Sequence, residues 1–353
     1  MAGPTLLQPG RFQGDVGGKL VALYTLRNAH GMVCCITNYG AKITQLLVPD
    51  RNGQLADVVL GYDSLQGVMS GSPSMGAFIG RYAGRIGNAA FTLDGVRHQL
   101  SANNGPHCLH GGAKGSRFQV FDAVQNNPTS VEMRYVFADG DEGFPGTLAL
   151  SLLYSLTDNN ELVLSYEATA LDKLTVASLT THAFFNLNGH ASGSVLDNDV
   201  TVFADEQFGM TDDLVATGEL LTVAGTRFDF RNQRAIQAAG EGGYDCCYLL
   251  NKNKPNELSL AAQVSAPASG RVMQVWSTEP ALQFYTGLLP GEPLTGGPGK
   301  DGARYLQQHS LCLEPQGYPN APKLMHRYPP YASALYAPGV SRSGRTVYGF
   351  SVN

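Results

Sequence analysis

Glu161-Leu162-Val163-Leu164-Ser165-Tyr166-Glu167-Ala168-Thr169-Ala170 decides the fold class. Leu162, Leu164, Tyr166, Ala168 and Ala170 fall on one face, with Ser165, Glu167 and Thr169 opposite. A period of two over so long a run marks a strand with one face turned to a core. Val131, Met133, Tyr135 and Phe137 repeat the pattern. Asp94-Gly95, between Phe91-Thr92-Leu93 and Val96-Arg97-His98, predicts a hairpin, and Asn52-Gly53 a second tight turn. Few segments have helical period; residues 232–240 read as a short helix ended by Gly240, Gly242 and Gly243. No βαβ alternation appears, which argues against a parallel doubly wound sheet. The Gly/Pro-rich stretch Gly287 to Gly302 reads as a long surface loop rather than a linker. The expectation is an all-β protein, one large antiparallel sandwich, with residues 1–353 forming a single domain.

Composition narrows the function. The chain is 43% hydrophobic and 15% charged, enough to bury a sizeable core. A net charge of −5 gives no electrostatic reason to expect nucleic acid or an anionic membrane surface as partner. Met1 to Gly14 lacks the basic segment and apolar run of a signal peptide, and no stretch approaches a membrane span. Cys34, Cys35, Cys108, Cys246, Cys247 and Cys312 show neither disulfide-framework nor zinc-ribbon spacing. They read as reduced, buried thiols of a cytoplasmic protein.

Four segments place ionisable residues where burial is expensive: Gly80-Arg81-Tyr82-Ala83-Gly84-Arg85-Ile86-Gly87, Asn103-Asn104-Gly105-Pro106-His107-Cys108-Leu109-His110-Gly111-Gly112, Thr181-His182-Ala183-Phe184-Phe185-Asn186 and Cys312-Leu313-Glu314-Pro315-Gln316. His182 runs into Phe184-Phe185, an apolar setting that depresses an imidazole pKa and keeps it near neutral and titratable. A core histidine bonded to a carbonyl would look the same. Glu314 ends a buried-looking strand, where a carboxylate needs a partner; a structural ion pair would meet that need as well as a catalytic one. His107 and His110 lack the further ligands a zinc site requires, and the surrounding glycines suggest a turn presenting a histidine to a cavity. Arg81 and Arg85 belong to a residue type usually found at the surface.

Together with Asn38-Tyr39-Gly40-Ala41, Val48-Pro49-Asp50-Arg51-Asn52-Gly53, Leu60-Gly61-Tyr62-Asp63, Asp141-Glu142-Gly143-Phe144-Pro145-Gly146, Gly243-Tyr244-Asp245, Gln283-Phe284-Tyr285-Thr286-Gly287 and Pro319-Asn320-Ala321-Pro322, these segments resemble the aldose 1-epimerase family. No one motif decides it; their order along nine-tenths of the chain does. The resemblance implies a β-supersandwich of galactose-mutarotase type, free of metal and organic cofactor, that interconverts the α and β anomers of free aldohexoses such as glucose and galactose. It implies Glu314 as catalytic base, His182 as acid at the ring oxygen and His110 as its assistant. It implies Arg85 and Asp245, with Gln283 in some members, as contacts to the sugar hydroxyls. The chain departs from the family pattern at Gly84, Thr181, Cys246-Cys247, His107 and Gly317-Tyr318. None removes a catalytic group, so sugar preference is affected more than chemistry.

Three other readings compete with this one. A hexose-6-phosphate 1-epimerase of the same fold needs further cations, and near the motifs only Arg81 and Arg85 offer them. A non-catalytic sugar-binding module would not need Glu314 and both histidines. A glycoside hydrolase needs two catalytic carboxylates; Asp245 could be the second, but the family resemblance argues against this. The expected partner is a monosaccharide, with the chain a monomer or homodimer.

Overall fold

The computed structural model describes residues 4–237, 243–287, 297–329 and 334–353. Three antiparallel sheets organise them. The largest has nine strands in the spatial order Asp122–Asn127, Ser130–Phe137, Leu148–Leu156, Glu161–Ala170, Ser341–Val352, Arg271–Ser277, Ser259–Ala266, Asp199–Val202 and Arg234–Ala235. A five-stranded sheet runs Ala216–Thr222, Glu206–Met210, Asp245–Leu249, Ala281–Tyr285 and Cys312–Gln316. A four-stranded sheet holds Leu23–Arg27, Val33–Thr37, Lys42–Pro49 and Leu55–Asp57.

The core lies where these sheets face one another. The apolar face read from the sequence supplies Val131, Met133, Phe137, Leu162, Leu164, Ala168 and Ala170 to it. The five-stranded sheet contributes Cys246, Tyr248, Leu282, Phe284 and Leu313, and the four-stranded sheet Cys34, Ile36, Ile43 and Leu46. Because side chains alternate along a strand, this burial turns Asp245, Gln283 and Glu314 to the opposite face of the five-stranded sheet. The cleft forms over that face.

Both predicted turns form. Ala90–Leu93 pairs with Val96–Gln99 around Asp94 and Gly95, each at positive φ. Lys42–Pro49 returns through Asn52-Gly53 to Leu55–Asp57. All six cysteines are buried and unpaired.

The predicted helix over 232–240 does not form in its described part. Arg234–Ala235 instead adds an edge strand against Asp199–Val200. Ile236 is buried, and its N–H donates to Asn198. The backbone groups that would have closed a helix are used by the sheet edge; residues 238–240 lie outside the described segments. The surface reading of Gly287 to Gly302 also fails in part. Residues 288–296 lie outside the described segments, but Lys300 is buried, and its ammonium meets Asp57 Oδ2 at 2.5 Å and the carbonyls of Thr44 and Val59. That pair ties the loop's end to the four-stranded sheet.

Candidate active site

Strand register brings the candidate residues together. Gln283 and Glu314 are direct cross-strand partners, and Gln283 also faces Cys247, two residues from Asp245. The Gln283 amide donates to Asp245 Oδ1 at 2.5 Å. Glu314 lies at the centre of its strand, which continues through Pro315. Proline is tolerated there because this is an edge strand of the sheet.

His182 arrives on a separate segment. Phe185 and Leu311 exchange backbone hydrogen bonds of 2.8 and 2.9 Å, and that antiparallel register continued places His182 opposite Glu314. His182 Nε2 lies 3.5 Å from Glu314 Oε1. Its N–H donates to Ala77, and its carbonyl accepts from Gly76. The imidazole stacks on Phe184 at 4.9 Å and 12°, and meets Tyr285 edge-on. Two polar atoms of the pair, His182 Nδ1 and Glu314 Oε2, are buried without a partner.

His110 sits at φ 54° between Leu109 and Gly111. Its N–H donates to the Gly84 carbonyl, while its Nδ1 accepts from the Gly84 N–H. The neutral ring therefore carries its proton on Nε2. Gly111 must be glycine: at φ 79° a Cβ would lie 2.3 Å from the Gly80 carbonyl oxygen. Gly84 is also left-handed, at φ 73°, a conformation that glycine adopts without strain.

The two arginines of the first motif divide. Arg85 lines the cleft, its Nε donating to Asn104 at 2.8 Å. Arg81 is 1% exposed, so its surface reading is corrected: it donates to the carbonyls of Val176, Pro145 and Gly146 and to Thr175. His107 is likewise structural, with Nδ1 accepting from Asn88 and Nε2 against Asp213 at 2.7 Å. At the Cys246-Cys247 departure, Cys246 turns into the core and the Cys247 thiol meets the Gln316 amide at 3.8 Å.

Arg85, His110, His182, Asp245, Gln283 and Glu314 all line one cleft of about 490 Å³. Asn103, Asn104, Phe184, Tyr285 and Arg117 line it as well. Arg117 escaped the sequence reading, since one arginine in Gly115-Ser116-Arg117-Phe118 carries no local sign of burial. His182, Cys312 and Glu314 also place donor atoms within 4.8 Å of one another, a grouping that sequence spacing did not reveal.

Burial dominates the electrostatics. It raises Glu314 well above the usual carboxylate range, with Asp245 adding repulsion. It raises Asp245, which Arg85 and the Gln283 amide partly offset. His182 falls to about 3 through burial and then the Arg117 charge, further than the near-neutral titration expected from sequence. His110 falls for the same reason, with His182, Arg117 and Arg85 adding repulsion. Burial also raises the Cys312 thiol, and Glu314 and Asp245 raise it further.

The family model described as Aldose 1-epimerase matches residues 22–349. Galactose mutarotase of Bos taurus is 40% identical over 325 residues, covering 90% of both chains. Aldose 1-epimerase of Escherichia coli (strain K12) is 34% identical over 341 residues, covering 94% of this chain and 96% of that protein. The crystal structure of an aldose epimerase homologue from C. elegans superposes with a TM-score of 0.86 at 28% identity, over 94% of this chain and 99% of that one. The chain belongs to the aldose 1-epimerase family, isomerases that interconvert the anomers of aldoses.

Proposed function

We propose that this enzyme interconverts the α and β anomers of free aldohexoses, glucose and galactose, with Glu314 and His182 as the proton-transfer pair. The observation that carries the reading is their 3.5 Å approach in a shielded cleft, with neither group committed to another partner. Mutarotation needs a proton taken from the anomeric hydroxyl and one given to the ring oxygen. With one proton on the pair, the Glu314 carboxylate takes the hydroxyl proton as the His182 imidazolium donates to the ring oxygen. The C1–O5 bond breaks and the free aldehyde forms. Glu314 is then neutral and so is His182, the state that burial favours. Rotation about C1–C2 and the reverse transfers close the ring on the other face. Arg85, Asp245 and Gln283 hold hydroxyls by directional bonds, and His110, fixed by Gly84, orients the sugar.

No metal or organic cofactor enters this reading. His182, Cys312 and Glu314 could supply three donors, but the environment of Cys312 disfavours the thiolate that a metal needs. We place the enzyme in the cytoplasm as one domain, monomeric or homodimeric. Polarimetry on freshly dissolved α-glucose and α-galactose, before and after exhaustive EDTA treatment, tests the reading. Acceleration above the spontaneous rate is expected in both cases; no acceleration refutes the activity, and loss restored by zinc refutes the metal-free mechanism.

The pH dependence follows from the two shifts. The active pair holds one proton in total. Adding a second requires protonating His182, held down at about 3, and removing the first requires ionising Glu314, held well above 4.5. Falling pH through the ordinary histidine value of 6.5 should therefore leave kcat/KM unchanged, and the alkaline limb should follow Glu314. An acid limb centred near 6.5 would show that the second proton is added at an ordinary imidazole value and overturn the depressed His182.

A further inference from the structure

Arg117 stands in the cleft wall on the 3₁₀ turn Ser116–Phe118 and is 6% exposed. Its Nη1 donates to Ser74 at 2.9 Å, and Nε is buried with no partner. Among the described residues no carboxylate pairs with it. Lys42 adds to the imbalance: it is 2% exposed, its ammonium lies 5.1 Å from the Tyr39 ring centroid, and Arg117 repels it.

Burying an uncompensated cation is costly, and three other deeply buried cations of the described residues largely meet that cost. Lys300 has Asp57 and two carbonyls. Arg271 donates to the carbonyls of Val48, Leu187 and Gln54. Arg81 has three carbonyls and a hydroxyl, with Nη1 alone left unpartnered. Arg117 has one hydroxyl, and it faces a cleft built for a sugar. It lies toward the histidine side of that cleft: its partner Ser74 stands two residues before Gly76, whose N–H donates to the His182 carbonyl, and its charge lowers both histidines.

We propose that Arg117 is a specificity-determining residue that receives a carboxylate on the sugar, so that the substrates include aldohexuronic acids. This rests on the anomer-interconverting reading of the same cleft. Nη2 makes no hydrogen bond to the described residues and can give a carboxylate a charge-assisted bond; Nε, buried behind it, completes a paired edge when the guanidinium turns toward the ligand. A single guanidinium balances the one charge of a carboxylate but only half that of a phosphate dianion. A site with a buried donor pair also penalises a substrate that leaves the pair empty.

The test compares mutarotation of freshly dissolved α-galacturonate, α-galactose and glucose 6-phosphate by the full chain and by Arg117→Gln. Calorimetric binding of galacturonate and galactose is measured alongside. The wild type should turn over galacturonate with kcat/KM at least comparable to galactose. Arg117→Gln should lower the galacturonate-to-galactose ratio about tenfold or more, in turnover and in affinity. If Arg117→Gln does not fold, Arg117→Lys, which keeps the charge but loses the paired edge, should still lower the ratio. Three results would overturn the proposal: galactose turned over with galacturonate inert, equal losses on both sugars, or preference for the 6-phosphate. If no sugar is turned over but galacturonate binds in an Arg117-dependent way, the carboxylate subsite stands and the epimerase reading falls.

Discussion

Glu314→Gln is expected to lower kcat for mutarotation by about 100-fold or more, the usual cost of losing a positioned general base. KM should change little. Gln keeps the size of Glu at a position only 2% exposed, and its cross-strand neighbour Gln283 still bonds Asp245. What Gln cannot do is accept the anomeric proton. Stability supplies an independent sign. A carboxyl raised in the folded state binds its proton more tightly there than in the unfolded chain. Folding is therefore penalised as pH rises above the unfolded value near 4.5, and the penalty is absent well below it. The Gln variant escapes this and should melt above the wild type at neutral pH, with the gap closing in acid. Polarimetric rates corrected for spontaneous mutarotation, with thermal melts at two pH values, check both. Retention of more than about a tenth of wild-type kcat, against the loss expected for a general base, would move that role to another carboxylate. Asp245, half-buried and raised in the same cleft, would be the first candidate.

His182→Asn should cost about as much, again chiefly in kcat, because an amide can donate a hydrogen bond to the ring oxygen but cannot transfer a proton to it. The backbone bonds to Ala77 and Gly76 survive the change, so the segment stays in register. The stack on Phe184 is lost, and a modest fall in melting temperature is expected from that alone. His110→Asn should lose less if its part is orientation. The double variant Glu314→Gln/His182→Asn should lose less than the product of the single losses, since once one transfer is gone its partner has little left to contribute. Losses that multiplied would mean that the two groups act independently. The 3.5 Å approach would then be packing rather than mechanism.

The sequence by itself determined the all-β class. An alternating face such as Leu162, Leu164, Ala168 and Ala170 is a local property, and burying it forces a strand. It also determined which residues enter the cleft: the ordered motifs named Arg85, His110, His182, Asp245, Gln283 and Glu314, and all six line it. The tertiary structure decided what each of them meets. The Phe185–Leu311 bridge sets His182 against Glu314, and no local pattern encodes a register between segments so far apart. It separated Arg81, held by carbonyls, from Arg85 in the cleft, although both sit in the same motif. It turned residues 234–235 into an edge strand, because an unpaired sheet edge at Asp199 offered backbone partners that outweighed a weak helical period. It left Arg117 buried on the histidine side of the cleft with no carboxylate partner among the described residues. Burial and charge compensation depend on what the rest of the chain brings alongside, so they are decided only when the sheets close on one another.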